Sequence, residues 1–155
     1  MSGKEPVTEI ASAVESTAEA LVGVLDAARL AQVPTVPPAQ LRVLTIVAAN
    51  RHTNMSRLAE ALDVVPSSAS RLCDRLEATG LLRRVPDPRD RREVRLLLTP
   101  AARRLLDDLR TRRQEALATV LERMTPAARD ELVRALRAFE TATGEDAAPG
   151  GLRTA

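Results

Sequence analysis

Arginine sets the chemistry open to this sequence. Six arginines stand between Arg83 and Arg95, against three acids, Asp87, Asp90 and Glu93. Arginine stays charged at every relevant pH and pairs bidentately with phosphate or with the edge of guanine. Just upstream, Ser67, Ser68, Ser70, Arg71 and Arg75 gather small hydroxyls and two further guanidinium groups. Serine allows close approach and can bond phosphate or base edges. Such groups suit double-stranded nucleic acid. Catalysis has little to work with. His52 and Cys73 are the single histidine and the single cysteine. That excludes His-pair and Cys-based metal motifs and any disulfide framework. No Ser/His/Asp triad and no Gly-rich phosphate loop stands out, so neither enzyme activity nor a metal or other cofactor is expected.

Composition narrows the field further. A chain of 155 residues fits about one domain. It is 45% hydrophobic and 28% charged, a globular balance. Aromatics make up 1%, with Phe139 alone. The core must therefore be aliphatic, and binding by stacking bases on aromatic platforms is excluded. The net charge of +2 is bland, so its distribution matters more. Every basic residue except Lys4 is arginine, a bias that GC-rich codons also produce. No signal-peptide pattern opens the chain and no stretch reaches the ~20 apolar residues of a membrane helix. A cytoplasmic protein without a membrane partner is expected.

The elements that must position the arginines follow from periodicity. Val7, Ala11, Val14, Ala18, Leu21, Leu25 and Ala28 alternate steps of four and three, a heptad seam for packing along another helix. The seam is either intramolecular or between subunits. Pro34 to Pro38 breaks it. A second helix is expected over about Pro38 to Asn50, with Leu41, Leu44, Val47 and Ala48 on one face. Asn54 is a good N-cap for a short helix to Leu62 with Met55, Leu58, Ala59 and Leu62 inward. Pro66 suits a first helical position, and the next helix runs to about Thr79, stopped by Gly80. Ala69, Leu72, Cys73 and Leu76 face inward there, opposite Ser67, Ser70, Arg71, Asp74 and Arg75.

Leu81 to Val85 and Glu93 to Leu98 read as two strands of a hairpin, with Val94, Leu96 and Leu98 alternating and an arginine-rich tip between. Thr99-Pro100 and Thr125-Pro126 are two further helix starts. The first opens a long helix to about Met124, with Leu105, Leu106, Leu109, Leu117, Val120, Leu121 and Met124 as its stripe. The second helix carries Leu132, Val133, Leu136 and Phe139. Residues 1–6 and 144–155 are expected to be disordered. The fold class is thus mainly α with a small β-hairpin. Two short helices joined by a tight turn, then a basic hairpin, form a helix-turn-helix with a wing. The second helix suits the major groove and the arginine tip suits a narrow minor groove.

Several segments carry a resemblance. Gln40 to Leu44, Leu58-Ala59, Ser68 to Leu72 and Arg75 to Leu81 resemble the MarR family of winged-helix transcriptional regulators. The strongest likeness is Asp87-Pro88-Arg89-Asp90-Arg91-Arg92-Glu93-Val94, followed by Leu96-Leu97-Leu98-Thr99. It is close over residues 36–106 and holds only in position and pattern beyond. It implies a homodimer with a dimerisation helix at 7–36, a winged helix-turn-helix at 37–99 and dimerisation helices at 100–143. Within it, 66–79 is the recognition helix and 82–98 the wing. On the helix-turn-helix reading, Ser67, Ser68, Ser70, Arg71 and Arg75 contact DNA from the helix. By the likeness Arg89, Arg91 and Arg92 do so from the wing, and Asp90 braces the wing by pairing with an arginine. Val14, Leu21, Leu25, Leu132, Leu136 and Phe139 belong to the dimer region. The partners implied are a near-palindromic operator, a second copy and an effector, a small molecule or an oxidant, that relieves repression. Three positions depart from the family pattern: Val65 where a capping Ser is frequent, Pro37 for Thr, and Ala102 for Gly.

Each signal has a plainer counterpart. The arginine run alone could be a solvated face; the helix-turn-helix beside it favours DNA. Arg71 and Arg75 could pair with Asp74 or Glu77, but such exposed pairs contribute only ~0.3–0.5 kcal/mol. Cys73 lies on the inward stripe, where a thiol keeps a high pKa and reacts slowly, against a redox-sensing role. His52 has no carboxylate nearby in sequence. A winged module serving protein–protein contact is the other class of function, and salt dependence separates it from DNA binding.

Overall fold

The computed structural model describes residues 5–31, 36–50 and 52–146. The disorder expected of residues 1–4 and 147–155, the breaker residues 34 and 35, and Arg51 lie outside the described residues. The element order is α1 (Glu5–Leu30), α2 (Pro38–Ala49), α3 (Met55–Leu62), α4 (Pro66–Ala78), β1 (Leu82–Pro86), β2 (Val94–Leu98), α5 (Pro100–Leu121) and α6 (Pro126–Asp146). The chain divides into two compact units, Met1–Glu115 and Ala116–Ala155.

Local chemistry fixes the helix ends. The Asn54 side chain accepts from the Arg57 amide at 2.9 Å and caps α3. Asp63 then turns the chain at φ 55°, a left-handed conformation that Asp tolerates better than most residues. Thr99 Oγ1 accepts from the Ala102 amide and Thr125 Oγ1 from the Ala128 amide, so both Thr-Pro starts act as caps. At the end of α4, Leu81 N donates to Leu76 O and Gly80 N to Glu77 O, with Gly80 at φ 71°. This pair of bonds needs a left-handed residue, which is why a glycine stands there. The carbonyls at the C-terminal end of α5 also meet Arg129, whose Nε donates to Leu121 O at 2.7 Å.

Both outer helices differ from their expected bounds, and α1 ends at Leu30, before the residue 36 expected of it. α1 starts at Glu5 rather than Val7, because a proline in the first turn lacks only a donor that has no partner there. α6 continues to Asp146 rather than stopping before Gly144. One glycine within a helix costs only about 1 kcal/mol, and the hydrogen-bonded run carries through it. α5 ends at Leu121, short of Met124, where the Arg123 and Met124 amides turn to i−3 acceptors.

The core of the first unit joins α2, α3, α4, the hairpin and the start of α5. Leu44, Leu58, Leu76, Leu96, Val43 and Cys73 are its largest wholly buried side chains. Leu41, Leu62, Leu82, Leu98, Ala102, Leu105 and Leu109 also belong to it, with Val36, Val47, Ala59 and Ala69. Four inward expectations change. Val43 rather than Ala48 faces in, since α2 meets α3, α4 and β2 and is covered over a wider arc. Met55 and Leu72 pack at the margin, half-buried. Val94 is exposed because it pairs with Pro86 at the outer end of the hairpin, beyond the core.

The start of α4 is the weak point. Val65 is its N-cap residue, and no side chain bonds the free amides there. Its own methyls are 63% exposed, so they gain little by burial. Val65→Ser is therefore expected to raise stability by about 1 kcal/mol. A higher urea midpoint with an unchanged slope would register it; an unchanged midpoint would show that Pro66 alone suffices.

Candidate nucleic-acid interface

The hairpin pairs in antiparallel register, Leu82 with Leu98, Arg84 with Leu96, and Pro86 with Val94. Leu96 N also donates to Thr53 O at 2.9 Å, and Asn54 bridges Arg95, so the turn before α3 adds a short edge to the hairpin. The Asn54 side chain reaches Glu93 at 3.0 Å while it caps α3. One residue thus ties the wing to the helix-turn-helix.

Asp87 organises the wing tip. Its amide donates to Glu93 O, and its carboxylate accepts from the Arg89 amide at 2.8 Å and lies 3.7 Å from Arg95 Nε. The Arg89 amide first, then the Arg95 charge, hold its carboxyl below the usual carboxylate range. Asp90 does something else. Its Oδ1 accepts from the Arg92 amide at 2.9 Å, and its carbonyl accepts from Glu93 N. The expectation that Asp90 braces the wing by an ion pair is therefore corrected. Asp90 braces the turn through backbone amides, as short acids do in turns, and the ion pair belongs to Asp87 and Arg95. Arg89, Arg91 and Arg92 are all exposed at this tip.

On α4, Ala69, Cys73 and Leu76 are buried. Ser67, Arg71 and Arg75 are exposed on the outer side, with Ser68 half-buried. Ser70 is half-buried and has a partner within the chain. Its hydroxyl and carbonyl oxygens accept from Arg84 Nη2 at 3.4 and 3.3 Å. In sequence Arg84 groups with the other wing arginines, yet it turns inward. It shares a strand face with Leu82, so the two-residue period of a strand signals its direction.

Burial pushes the Cys73 thiol up to about 11, with Arg84 opposing and Asp74 and Glu77 adding. The folded thiol holds its proton more tightly than the unfolded one, so its contribution to stability is complete below about pH 9 and lost as the pH rises toward 11. With no tyrosine and only Lys4 as lysine, few other groups titrate in that window. Stability is expected to fall by roughly 2–3 kcal/mol across it. Cys73→Ala should flatten that slope; an equally steep fall in the variant would place the titration elsewhere.

An open cleft of about 320 Å³ lies at the end of α2, lined by Ile46, Ala49, Asn50, His52, Thr53 and Arg57. Arg57 Nη1 donates to His52 O there at 3.3 Å. No group of three His, Cys, Asp or Glu side chains fit for a metal occurs among the described residues. No helix among them is long and apolar enough to cross a membrane.

Residues 35–93, which hold α2 to α4 and the wing tip, match the family model of the MarR family. The crystal structure of RV1404 from Mycobacterium tuberculosis superposes with a TM-score of 0.81 at 33% identity, covering 92% of this chain and 97% of that one. The chain belongs to the MarR family. Two Bacillus subtilis (strain 168) proteins are similar to this MarR-family chain over shorter stretches. The uncharacterized HTH-type transcriptional regulator YsmB is 41% identical over 59 residues, 38% of this chain and 40% of that protein. The HTH-type transcriptional repressor MdtR is 32% identical over 90 residues, 58% of each. The matches thus span about half the length of these curated relatives.

Proposed function

We propose that this MarR-family chain is a dimeric, sequence-specific DNA-binding repressor, without enzyme activity, that works in the cytoplasm. The observation that carries the reading is one surface. The outer side of α4 offers Ser67, Arg71 and Arg75, and the hairpin held to the same unit ends in Arg89, Arg91 and Arg92. The helix reads base edges in the major groove, and the arginine tip enters the adjacent minor groove, whose potential attracts it.

Dimerisation rests on apolar surface that the single chain leaves in solvent. Val7, Ile10, Val14, Leu21 and Val22 of α1 are exposed. On α6, Leu132, Val133, Leu136 and Phe139 are exposed too, at the spacing of one helix face. Isolated helices are marginal in water, and large apolar patches mark interaction surfaces. A second copy covering α1 and α6 supplies the missing partner, with Val14, Leu21, Leu25, Leu132, Leu136 and Phe139 in the seam. Two-fold symmetry then asks for a near-palindromic operator with half-sites about one helical turn apart, ~34–36 Å. A small-molecule effector that releases the operator belongs to the same reading. The cleft beside Arg57 has a volume in the range of ligand pockets.

Recovery of genomic fragments on the purified protein, followed by mobility shift, tests the reading. Paired half-sites at that spacing are expected. Protein that retains no DNA at low salt contradicts it.

A further inference from the structure

Two acids sit oddly on a helix read as facing DNA. Asp74 lies between Arg71 and Arg75 with its side chain 59% exposed, and Glu77 follows one turn later. Unpaired, both would repel phosphate. One residue of β1 engages them together. Arg84 Nη1 donates to Asp74 Oδ1 at 2.8 Å and to Glu77 Oε2. Its Nη2 reaches the Ser70 carbonyl and hydroxyl, and its backbone amide donates to Glu77 Oε1 at 3.0 Å. The contacts span Ser70 to Glu77, two turns of α4, from a single position in the first wing strand.

Geometry makes this more than a surface pair. Arg84 shares the inward strand face with Leu82, and its cross-strand partner Leu96 is buried, so the stem leans on the core. The side chain is 26% exposed and that of Glu77 31%. Bulk water and salt screen such groups less than exposed ones. A planar fork is also what lets one side chain hold carboxylates with one nitrogen and a carbonyl with the other. Lysine would keep the charge and lose that reach.

Resting on the DNA-binding reading above, we propose that Arg84 is a positioning residue that locks the wing to the recognition helix and offsets part of the charge of Asp74 and Glu77, so that both grooves are engaged as one act. Arg84 itself touches no DNA. It sets where Arg92 stands relative to Arg71 and Arg75, and its single positive charge offsets one of the two negative charges on the surface facing phosphate. Without it, the wing no longer follows the helix into register.

A double-mutant cycle on full-length protein and a selected operator measures this. Affinities are compared for wild type, Arg92→Ala, Arg84→Ala and the double variant, with Arg84→Lys run in parallel in case Arg84→Ala does not fold. Arg92→Ala is expected to cost roughly 100-fold in the wild-type background and less than about 5-fold in either Arg84 background. Adding Asp74→Asn and Glu77→Gln to an Arg84 variant should restore non-specific affinity, yet leave the loss of coupling. That split separates charge from positioning. Wild-type binding with an equal cost of Arg92→Ala in all backgrounds overturns the positioning role and leaves the DNA-binding reading standing. Absence of wild-type binding at low salt overturns both.

Discussion

Arg92→Ala is expected to reduce operator affinity by roughly 100-fold while the protein stays folded. The residue sits at the exposed tip of the wing, and its amide, not its guanidinium, holds the turn through Asp90. Truncation keeps that backbone bond. Changes at exposed side chains outside such bonds usually alter stability by less than about 0.5 kcal/mol. The guanidinium is therefore available to a ligand at little cost to the fold. In a narrow minor groove it meets a concentrated negative potential. A specific arginine contact is worth about 1–3 kcal/mol, and a two-fold dimer loses two of them. Fluorescence anisotropy on a selected operator measures the loss, with circular dichroism as the control on folding. Retained wild-type affinity would refute the wing assignment.

The second large effect concerns assembly. Leu136→Glu, or Leu21→Glu on the other helix, is expected to convert the proposed dimer to monomer at micromolar concentration. Leu136 lies with Leu132, Val133 and Phe139 on a helix that buries none of its described side chains within the chain. An isolated helix of that kind needs an apolar partner to remain formed. A buried, unpaired carboxylate in such a seam costs several kcal/mol and appears twice at a two-fold interface. Operator affinity should collapse with the dimer, because a single recognition helix contacts only one half-site. Sedimentation equilibrium gives the oligomeric state directly. A dimer of wild-type stability would show that α6 is not in the seam.

Much of this was legible in the residues, and the reasons are local. Asn54, Thr99 and Thr125 announced helix starts because capping is a contact within one turn. Gly80 announced a stop because a left-handed position selects glycine. The arginine tip was visible as a charge run between two alternating strands. What was hidden depends on packing across elements. Arg84 looks like Arg83 in sequence, and only the strand register aims one at α4 and leaves the other exposed. Asp87 and Asp90 are both acids beside prolines or arginines. Which of them reaches Arg95 depends on how the loop closes, where Asp87 N meets Glu93 O. Ser70 read as a free hydroxyl until Arg84 reached it. Val43 has no place on the expected apolar face of α2, because the arc that α2 buries depends on how many elements surround it. The left-handed Asp63 was likewise silent, since Asp only tolerates that conformation and does not require it.

The central claim is that arginines on α4 and the wing hold DNA through its phosphates and grooves. Salt dependence of operator binding tests it most directly. Each neutralised phosphate releases counterions, so log affinity should fall linearly with log salt concentration, with a slope of roughly −5 to −9 for a dimer making 6–10 phosphate contacts. A slope near zero, or no complex even at low salt, would contradict the account.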